Sequence, residues 1–174
     1  MAGALADRES VELPSGGRRP LYTPEQRRRR DETGWTTVQG VLAPVQFLAF
    51  VVSLVLVVRA LVTSDGFAAA DVSVLVKTAL LYGIMVTGAI WEKRVFGRYL
   101  FAEAFFWEDV VSMVVVGLHT AYVAARAGEW LDGRAQLWLA LAAYAAYVMN
   151  AAQFLIKLRM GRLDESQRVA EVST

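Results

Sequence analysis

Long apolar runs separated by polar connections dominate this chain. Four runs approach or exceed the length of a membrane span: residues 35–58, 72–91, 110–125 and 135–156. The first and fourth carry no charge, the second carries only Lys77, and the third carries only the titratable His119. A helix needs about 20 residues to cross the hydrocarbon core, and the third run reaches this length when it is extended back to residue 105. Because backbone groups in lipid must be paired within the segment, the pattern predicts an all-α integral membrane protein, a bundle of four spanning helices.

The predicted membrane domain covers residues 35–160. Its spanning helices are placed at residues 35–62, 71–93, 105–127 and 134–158. Residues 1–22 are polar and have no helical period, which predicts a disordered tail. In residues 23–34 the segment TPEQRRRRD has a capping Thr before Pro24, which predicts a short basic helix at the membrane interface. Residues 161–174 are predicted to form a C-terminal tail.

Composition and charge placement support a membrane topology. The chain of 174 residues is 56% hydrophobic with a mean hydropathy of +0.38, whereas soluble domains are about 45–50% apolar. Basic residues are concentrated before the first span, between the second and third spans, and after the fourth. The other two connections carry Asp65, Asp71, Glu129 and Asp132. By the positive-inside rule both termini are expected in the cytoplasm, an N-in/C-in arrangement.

The residue types and motifs that the chain lacks exclude several chemistries. It has no cysteine, which removes disulfides, iron–sulfur ligation and thiol nucleophiles. With His119 as its single histidine, it cannot build a bis-histidine haem site or a His-rich zinc site. It has no Walker loop, GxGxxG or HExxH motif, so nucleotide cofactors are not expected. No recognition element accompanies the arginines, so nucleic acid is not an expected partner.

Two consecutive acids, Glu108 and Asp109, begin the third span in the sequence FFWEDVVSM. Charged side chains in a membrane segment are costly, which makes these two candidates for function. Their side chains point about 100° apart on a helix, so at least one is expected to face the bundle. Glu92, at the end of the second span, is a third candidate, and an interfacial charge pair with Lys93 is the equally weighted alternative for it.

Other polar residues of the spans add candidates for a cavity. Asn150 and Gln153 share the depth of the acids and, three residues apart, share one face of the fourth helix. Gln39, Gln46 and Ser53 recur every seven residues and form a polar line on the first helix. Ser53 is assigned to hydrogen bonding between helices, and the two glutamines are assigned to a cavity.

His119 and Tyr122 lie deeper in the third span, on the same helix face as Glu108. At 1.5 Å per residue, Glu108 and His119 are about 16 Å apart along the axis, so they cannot share a hydrogen bond. His119 is expected either to hydrogen-bond across helices or to ligate or polarise a bound molecule. Lys77, in the second span, is expected to snorkel outward.

The connection KRVFGRYLFAEAFFWED combines basic and aromatic side chains within a few residues. One interpretation is an aromatic belt at the membrane interface. An equally weighted interpretation is one face of a binding site for a large planar ligand, to which Trp107 would contribute.

Three segments of the chain are similar to a known family. They are LYTPEQRRRRDETGWTTVQGVLAPVQFLAF, LLYGIMVTGAIWEKRVFGRYLFAEAFFWEDVVSMVVVGLHTAYV and AYVMNAAQFLIKLR. These segments closely resemble the 3-vinyl bacteriochlorophyllide hydratase family of phototrophic bacteria, from about residue 21 to residue 159. The strings IWEK, VFGRYLF and FFWEDV are long and specific enough to make chance similarity remote.

The resemblance implies a hydro-lyase that adds water across the C3 vinyl group of a (bacterio)chlorophyllide. The product is the 3-(1-hydroxyethyl) compound of bacteriochlorophyll a biosynthesis. Protonation of the terminal vinyl carbon is expected first, because the resulting cation delocalises into the ring. Burial disfavours the ionised form of a carboxyl group, so Glu108 or Asp109 is the expected acid. The partner carboxylate or Glu92 is then expected to position and deprotonate the water.

The remaining polar candidates are expected to contact the substrate. Gln39, Asn150 and Gln153 are expected to hold the water or the ring carbonyl groups. His119 is the expected axial ligand of the substrate's Mg, directly or through water. The further expected contacts are Gln46, Trp107 and Tyr122. No redox cofactor or nucleotide is required, and Mg enters only as part of the substrate.

The expected partners are the substrate, the lipid bilayer and neighbouring enzymes of the bacteriochlorophyll pathway. The expected location is the inner or intracytoplasmic membrane of a bacterium. The main alternative function is a non-catalytic pigment-binding or assembly subunit of the photosynthetic membrane, in which the acids pair with Lys93 or Lys157 and His119 holds a chlorin. A small proton-relaying transporter is a third interpretation, but the four spans show no inverted pair of broken helices.

Overall fold

The computed structural model describes residues 21–172, and every regular element in this range is an α-helix. The helices are α1 (Pro24–Glu32), α2 (Gly34–Thr63), α3 (Phe67–Phe96), α4 (Phe106–Ala127) and α5 (Gly133–Val172). Helices α2 to α5 each contain a stretch long and apolar enough to cross a membrane. The predicted all-α architecture with four spans is therefore confirmed, and the chain is a multi-pass membrane protein. Residues 1–20 of the predicted tail lie outside the described residues.

Helix α5 continues beyond the span predicted at residues 134–158. Its apolar stretch ends at Leu163, and the helix runs on to Val172 through residues that the hydropathy pattern assigns to a tail. Hydropathy marks where a helix leaves lipid, but the helix itself continues as long as the residues favour it. Residues 162–172 contain Arg, Leu, Glu and Gln and no proline, so nothing in them terminates the helix.

Helix α1 begins at the residues that the TPEQ pattern indicates. The Thr23 hydroxyl accepts a hydrogen bond from the Gln26 N–H (3.2 Å), and the Gln26 side chain accepts one from the Thr23 N–H (2.9 Å). Arg28 and Arg29 donate hydrogen bonds to Glu25, which lower the pKa of the Glu25 carboxyl below its ordinary value. Part of the basic charge of α1 is therefore paired within the helix.

The spanning helices form two helical hairpins. A turn at residues 64–66 joins α2 to α3, a turn at residues 128–132 joins α4 to α5, and the two helices of each hairpin pack closely. Residues 97–105 connect the hairpins at the other end of the bundle. We call the end with the two turns the turn end, and the opposite end the connection end.

The hairpins meet along a line of polar side chains. The Ser53 hydroxyl of α2 lies 2.6 Å from the Tyr144 hydroxyl of α5, which confirms the predicted role of Ser53 in hydrogen bonding between helices. Lys77 of α3 lies over the Tyr147 ring, with Nζ 3.8 Å from the centroid. His119 of α4 lies beside Tyr144, with ring centroids 5.9 Å apart. We call Ser53, Lys77, His119, Tyr144 and Tyr147 the seam.

Candidate active site

Glu92 and Asp109 form a buried pair of carboxyl groups at the connection end. Glu92 lies near the end of α3 and Asp109 in the first turn of α4, so each hairpin contributes one acid. Only 5% of Glu92 and 3% of Asp109 are exposed, and the two carboxyl groups lie close enough to interact with each other. Two ionised carboxylates at a buried site repel each other and only accept hydrogen bonds, so a proton on one of them stabilises the pair. The acid pair is therefore a candidate for holding a transferable proton.

The connection of residues 97–105 folds over this acid pair. The Phe101 backbone N–H donates to Asp109 Oδ2 (2.7 Å), and the Ala102 N–H donates to Glu92 Oε2 (3.3 Å). Phe101 has a φ of 60°, a left-handed conformation that is unusual for a bulky residue. Strain of this kind persists only where surrounding contacts hold it, and it is concentrated at functional sites. The connection thus acts as a hydrogen-bonded cover for the acids.

Sequence reasoning missed these two amide donors, because a backbone N–H has no residue signature. The nearest signal in the sequence is Gly97, which follows two basic residues at the end of the second span. Gly97 ends α3 with a φ of 81°, a conformation that glycine adopts without strain. This turn directs the chain back across the connection end.

Glu108 has a different partner from Asp109. Its Oε1 lies 3.5 Å from Lys157 Nζ of α5, and Lys157 also donates to the Ala104 carbonyl oxygen. Its Oε2 is buried and has no hydrogen-bond partner among the described residues. Both consecutive acids are thus buried, although their separation on the helix requires only one to face the bundle. Glu108 offers a charged acceptor that is fixed by Lys157 and has one oxygen free.

Polar side chains of α4 and α5 continue from Glu108 into the bundle. Asn150 Nδ2 donates to the Ser112 hydroxyl at 2.9 Å. Gln153 lies between Asn150 and Lys157 on α5, about one turn from each. Asn150 contacts Ser112 of α4, and Lys157 contacts Glu108 of α4. Within the described range, Gln153 Oε1 is a second buried acceptor without a hydrogen-bond partner. This part of the site therefore has two acceptors available to a small donor such as water.

Two further groups with unused hydrogen-bonding capacity lie in the seam. His119 is fully buried, and its Nδ1 lies 2.8 Å from the Val115 carbonyl oxygen. Because a carbonyl only accepts, Nδ1 carries the proton, and Nε2 is an acceptor with no partner in residues 21–172. Lys77 is also fully buried, and its Nζ makes no hydrogen bond to the described residues. The expectation that Lys77 snorkels outward is wrong, because the side chain turns inward onto the rings of Tyr144 and Tyr147.

The other predicted contacts lie at several places in the bundle. Gln39 donates to the hydroxyl of Thr87 at 2.7 Å, between α2 and α3. Gln46 is buried, Trp107 is 68% exposed, and Tyr122 is buried near the turn end. The predicted residues that the structure brings together at the connection end are Glu92, Glu108, Asp109, Asn150 and Gln153.

The aromatic residues in and around the connection include a packed group and an exposed group. The packed group surrounds Phe105 and comprises Tyr22, Trp91, Phe96, Phe105 and Phe154. Phe101, Phe106 and Trp107 form the exposed group, with neighbouring ring centroids 5.5–5.8 Å apart, and Tyr99 is exposed beside Lys93. Because the Phe101 amide binds Asp109, this exposed aromatic group lies directly beside the acid pair.

These features define the class of protein. Four membrane spans, a buried pair of carboxyl groups, and a neighbouring carboxylate with a free oxygen suit acid–base chemistry on a molecule that partitions into lipid. No described group of three or more His, Cys, Asp or Glu side chains has the arrangement of a metal site.

Comparison with known proteins agrees with this class. The family model for 2-vinyl bacteriochlorophyllide hydratase matches residues 22–160. The 2-vinyl bacteriochlorophyllide hydratase of Rhodobacter capsulatus is 62% identical over 153 residues, covering 88% of this chain and 89% of that protein. The protein of the same description from Cereibacter sphaeroides is 63% identical over 151 residues, covering 87% and 94%. No solved structure shows a significant match to the chain.

The chain therefore belongs to the 2-vinyl bacteriochlorophyllide hydratase family. The family resemblance and the enzyme class predicted from the sequence, a hydro-lyase of bacteriochlorophyll biosynthesis, are confirmed. The number 2 follows the older tetrapyrrole numbering, in which position 2 is carbon C3 of the current numbering.

Proposed function

We propose that this protein adds water across the C3 vinyl group of a (bacterio)chlorophyllide, giving the 1-hydroxyethyl product, and that the acid pair supplies the proton. The observation that carries the assignment is that the buried carboxyl groups of Glu92 and Asp109, one from each hairpin, lie beside each other without a cation among the described residues. A vinyl group is a weak base, so its protonation needs an acid that is held in place and shielded from water. The acid pair under the 97–105 connection meets both needs.

The reaction has three steps: protonation of the vinyl group, formation of the carbon–oxygen bond, and loss of a proton from the added water. The acid pair gives a proton to the terminal vinyl carbon, and the cation left on the inner carbon is delocalised over the macrocycle. A water oxygen then bonds to the inner carbon, and a carboxylate accepts the proton that this water loses. One proton is given and one is recovered, so the sum is the addition of one water without a redox cofactor or nucleotide.

Glu108 is the best-placed base for the water. Its Oε1 is held by Lys157, while its Oε2 is buried and free to accept a hydrogen bond. Gln153 Oε1, one turn of α5 from Lys157, supplies a second free acceptor. A water that donates to both acceptors keeps its lone pairs available for attack. Asn150 is already hydrogen-bonded to Ser112 and supports this arrangement from the next turn of α5.

His119 is proposed as the axial ligand of the substrate's Mg. The bond from Nδ1 to the Val115 carbonyl oxygen fixes the tautomer, and this leaves the Nε2 lone pair as the unused donor to a metal. Asp109 and His119 are ten positions apart, about 15 Å along α4. A planar macrocycle inserted between the hairpins covers part of this distance when its vinyl edge points to the connection end.

The connection end is proposed to face the cytoplasm, with both termini on that side. The supporting observation is the charge bias, because residues 27–30 and the basic residues Lys93, Arg94 and Arg98 all lie at this end. The membrane is then the bacterial inner membrane or an intracytoplasmic membrane continuous with it. Neighbouring pathway enzymes are proposed partners, because the substrate and product partition into the same bilayer.

An isotope experiment tests the proposed function. Membranes containing the protein are incubated with a 3-vinyl chlorophyllide in water labelled with oxygen-18. The pigment is then analysed by mass spectrometry. The expected product is heavier by one water and carries the oxygen label in its hydroxyethyl group. The same reaction in D2O is expected to place one deuterium in the new methyl group.

The matched control is Glu103→Gln, which alters an exposed carboxylate of the same connection and should leave hydration unchanged. A pigment that binds the membranes and is recovered without added water would contradict catalysis and support the pigment-binding alternative.

A further inference from the structure

The proposed mechanism leaves Lys77 without a role, although its position is costly. The side chain is fully buried in a membrane segment, and its Nζ makes no hydrogen bond to residues 21–172. The Tyr147 ring, 3.8 Å from Nζ, compensates part of the desolvation of an ammonium group. It supplies no acceptor oxygen, and a buried cation without a partner is strongly unfavourable. The position therefore fits a residue whose partner arrives with a ligand.

His119, close to Lys77, is a second fully buried side chain with unused hydrogen-bonding capacity. The Tyr144 ring centroid is 5.9 Å from the His119 ring centroid and 5.9 Å from Lys77 Nζ. The unused groups are complementary in kind, since Nε2 of His119 is an acceptor and Nζ of Lys77 is a donor with positive charge. A ligand that presents an electrophilic centre and an anionic oxygen satisfies both.

A chlorophyllide carries both of these features. Its central Mg is electrophilic. A chlorophyllide is not esterified, so one pyrroline ring carries a propionate with an ionisable carboxyl group. The vinyl group is on the neighbouring ring, and the two substituents diverge at an obtuse angle as seen from the metal. A macrocycle held at His119 with its vinyl group toward the acid pair therefore directs its propionate away from the connection end.

We propose that Lys77 binds the propionate carboxylate of the substrate, an inference that rests on the proposed function. Lys77 is fifteen positions before Glu92 on α3, about 22 Å along the helix axis. This separation is comparable with the length of a substituted chlorin from vinyl group to propionate, with the two side chains added. The acid pair, His119 and Lys77 thus form three contact points along the seam, which fix the ring orientation that brings the vinyl group to the acids.

A comparison of two pigments isolates this contact. The Mg chlorophyllide with a free C17 propionate and its methyl ester share the ring, the metal and the vinyl group, and differ only in charge at the proposed contact. Binding of each to the solubilised full-length protein is measured by the change in pigment absorbance. Because a hydrogen bond to a charged group is worth about 1.5–3 kcal/mol, the wild type is expected to bind the free acid about tenfold to hundredfold more tightly than the ester.

Substitutions at Lys77 then test whether this residue causes the tighter binding of the free acid. Lys77→Met, which retains the length and packing of the side chain, is expected to bind both pigments equally, with the affinity that the wild type has for the ester. Lys77→Arg is expected to retain a preference for the free acid. The matched control is Lys93→Met, an exposed lysine of the same helix, which should retain the full preference. Hydration of the vinyl group is assayed in every sample.

The outcomes separate the two proposals. If Lys77→Met still prefers the free acid, or weakens both pigments alike, Lys77 does not bind the carboxylate and instead has a packing or water-binding role. A wild type without preference for the free acid overturns the inference as well. Each of these results leaves the proposed function intact provided that the wild type hydrates the vinyl group. If the wild type hydrates neither pigment, the proposed function itself fails.

Discussion

The two ends of the bundle differ in the partners that they give to their carboxyl groups. At the turn end, the half-buried Asp71 accepts a hydrogen bond from the Tyr122 hydroxyl (2.7 Å) and forms an ion pair with Arg126 (2.8 Å). At the connection end, the buried Glu92 and Asp109 lie beside each other and accept from two backbone amides, with no cation on either among the contacts of the described residues. Asp71 therefore has its charge compensated by a cation, whereas the acid pair does not.

The difference teaches how to distinguish a structural acid from a chemical one. Both ends contain buried polar groups, and the turn end has a cavity of about 320 Å³ lined by Asp71, Tyr122 and Gln136. Asp71 in this cavity already has a cation and a hydroxyl group as partners, so the cavity contains no acid that needs a proton. At the connection end the buried acids have no cation as a partner among the described residues, which makes them the stronger candidates for proton transfer. The missing counter-charge, and not the presence of a cavity, therefore identifies the candidate acids.

The largest expected effect is on the side of the membrane from which an introduced thiol is accessible, because the two ends of the bundle lie at opposite faces of the membrane. The chain has no cysteine, so a single introduced thiol gives a clean signal. Asp132→Cys, in the turn of α4 and α5, is expected to react with an impermeant reagent only from the periplasmic side. Glu103→Cys, in the connection, is expected to react only from the cytoplasmic side. Labelling of Asp132→Cys from the cytoplasm alone would reverse the proposed topology.

The next largest effect is on catalysis. Asp109→Asn and Glu92→Gln each retain shape but remove half of the proton-sharing pair. Each is expected to lower the hydration rate by about 100-fold or more, the usual contribution of a general acid. Pigment binding and membrane insertion should be retained, which absorbance and membrane fractionation measure. If both variants hydrate at the wild-type rate, the acid pair is not the proton donor, and Glu108 becomes the candidate.

A smaller effect is expected for His119, because it acts on binding. His119→Phe removes the proposed axial ligand and should weaken binding of the Mg chlorophyllide about tenfold or more, while the metal-free pigment loses little. Titration of both pigments into the same membranes measures the two affinities. Equal losses for the two pigments would assign His119 to helix packing, and a fall in turnover without a change in affinity would favour a role as general base.

The smallest effect is expected at the turn end. Asp71→Asn removes the ion pair with Arg126, whose side chain is 53% exposed, and weakens the hydrogen bond from Tyr122. Solvent screens an exposed ion pair, so the free energy of unfolding should fall by only about 1 kcal/mol. The hydration rate should remain that of the wild type, because the change lies far from the acids. A loss of turnover comparable with that of Asp109→Asn would remove the distinction between the two ends.

The sequence predicted the helices well because their signals are local. Apolar runs located all four spans, and Thr23 with Pro24 located the start of α1. The acids Glu92, Glu108 and Asp109 were found for the same reason, since a charge beside an apolar run is visible without knowledge of the fold.

The pairing of these residues was not predictable from local signals. Glu92 was weighed as a partner of Lys93, but Lys93 donates to the Gly97 carbonyl oxygen and Glu92 binds Asp109 instead. That pairing depends on how the 97–105 connection returns across the bundle, which is a property of tertiary structure. The inward turn of Lys77 likewise depends on the rotation of α3 against α5. Helix periodicity defines a face but not the neighbour that the face meets.

The division of the acid pair between the hairpins links activity to assembly. Each hairpin is an apolar unit that is able to insert on its own, and association of inserted helices is a separate stage of membrane protein folding. Because Glu92 belongs to one hairpin and Asp109 to the other, neither half contains the proposed proton donor alone. Inserted but unassociated chains are therefore expected to be inactive, and the measured turnover is expected to report only those molecules whose two hairpins have associated.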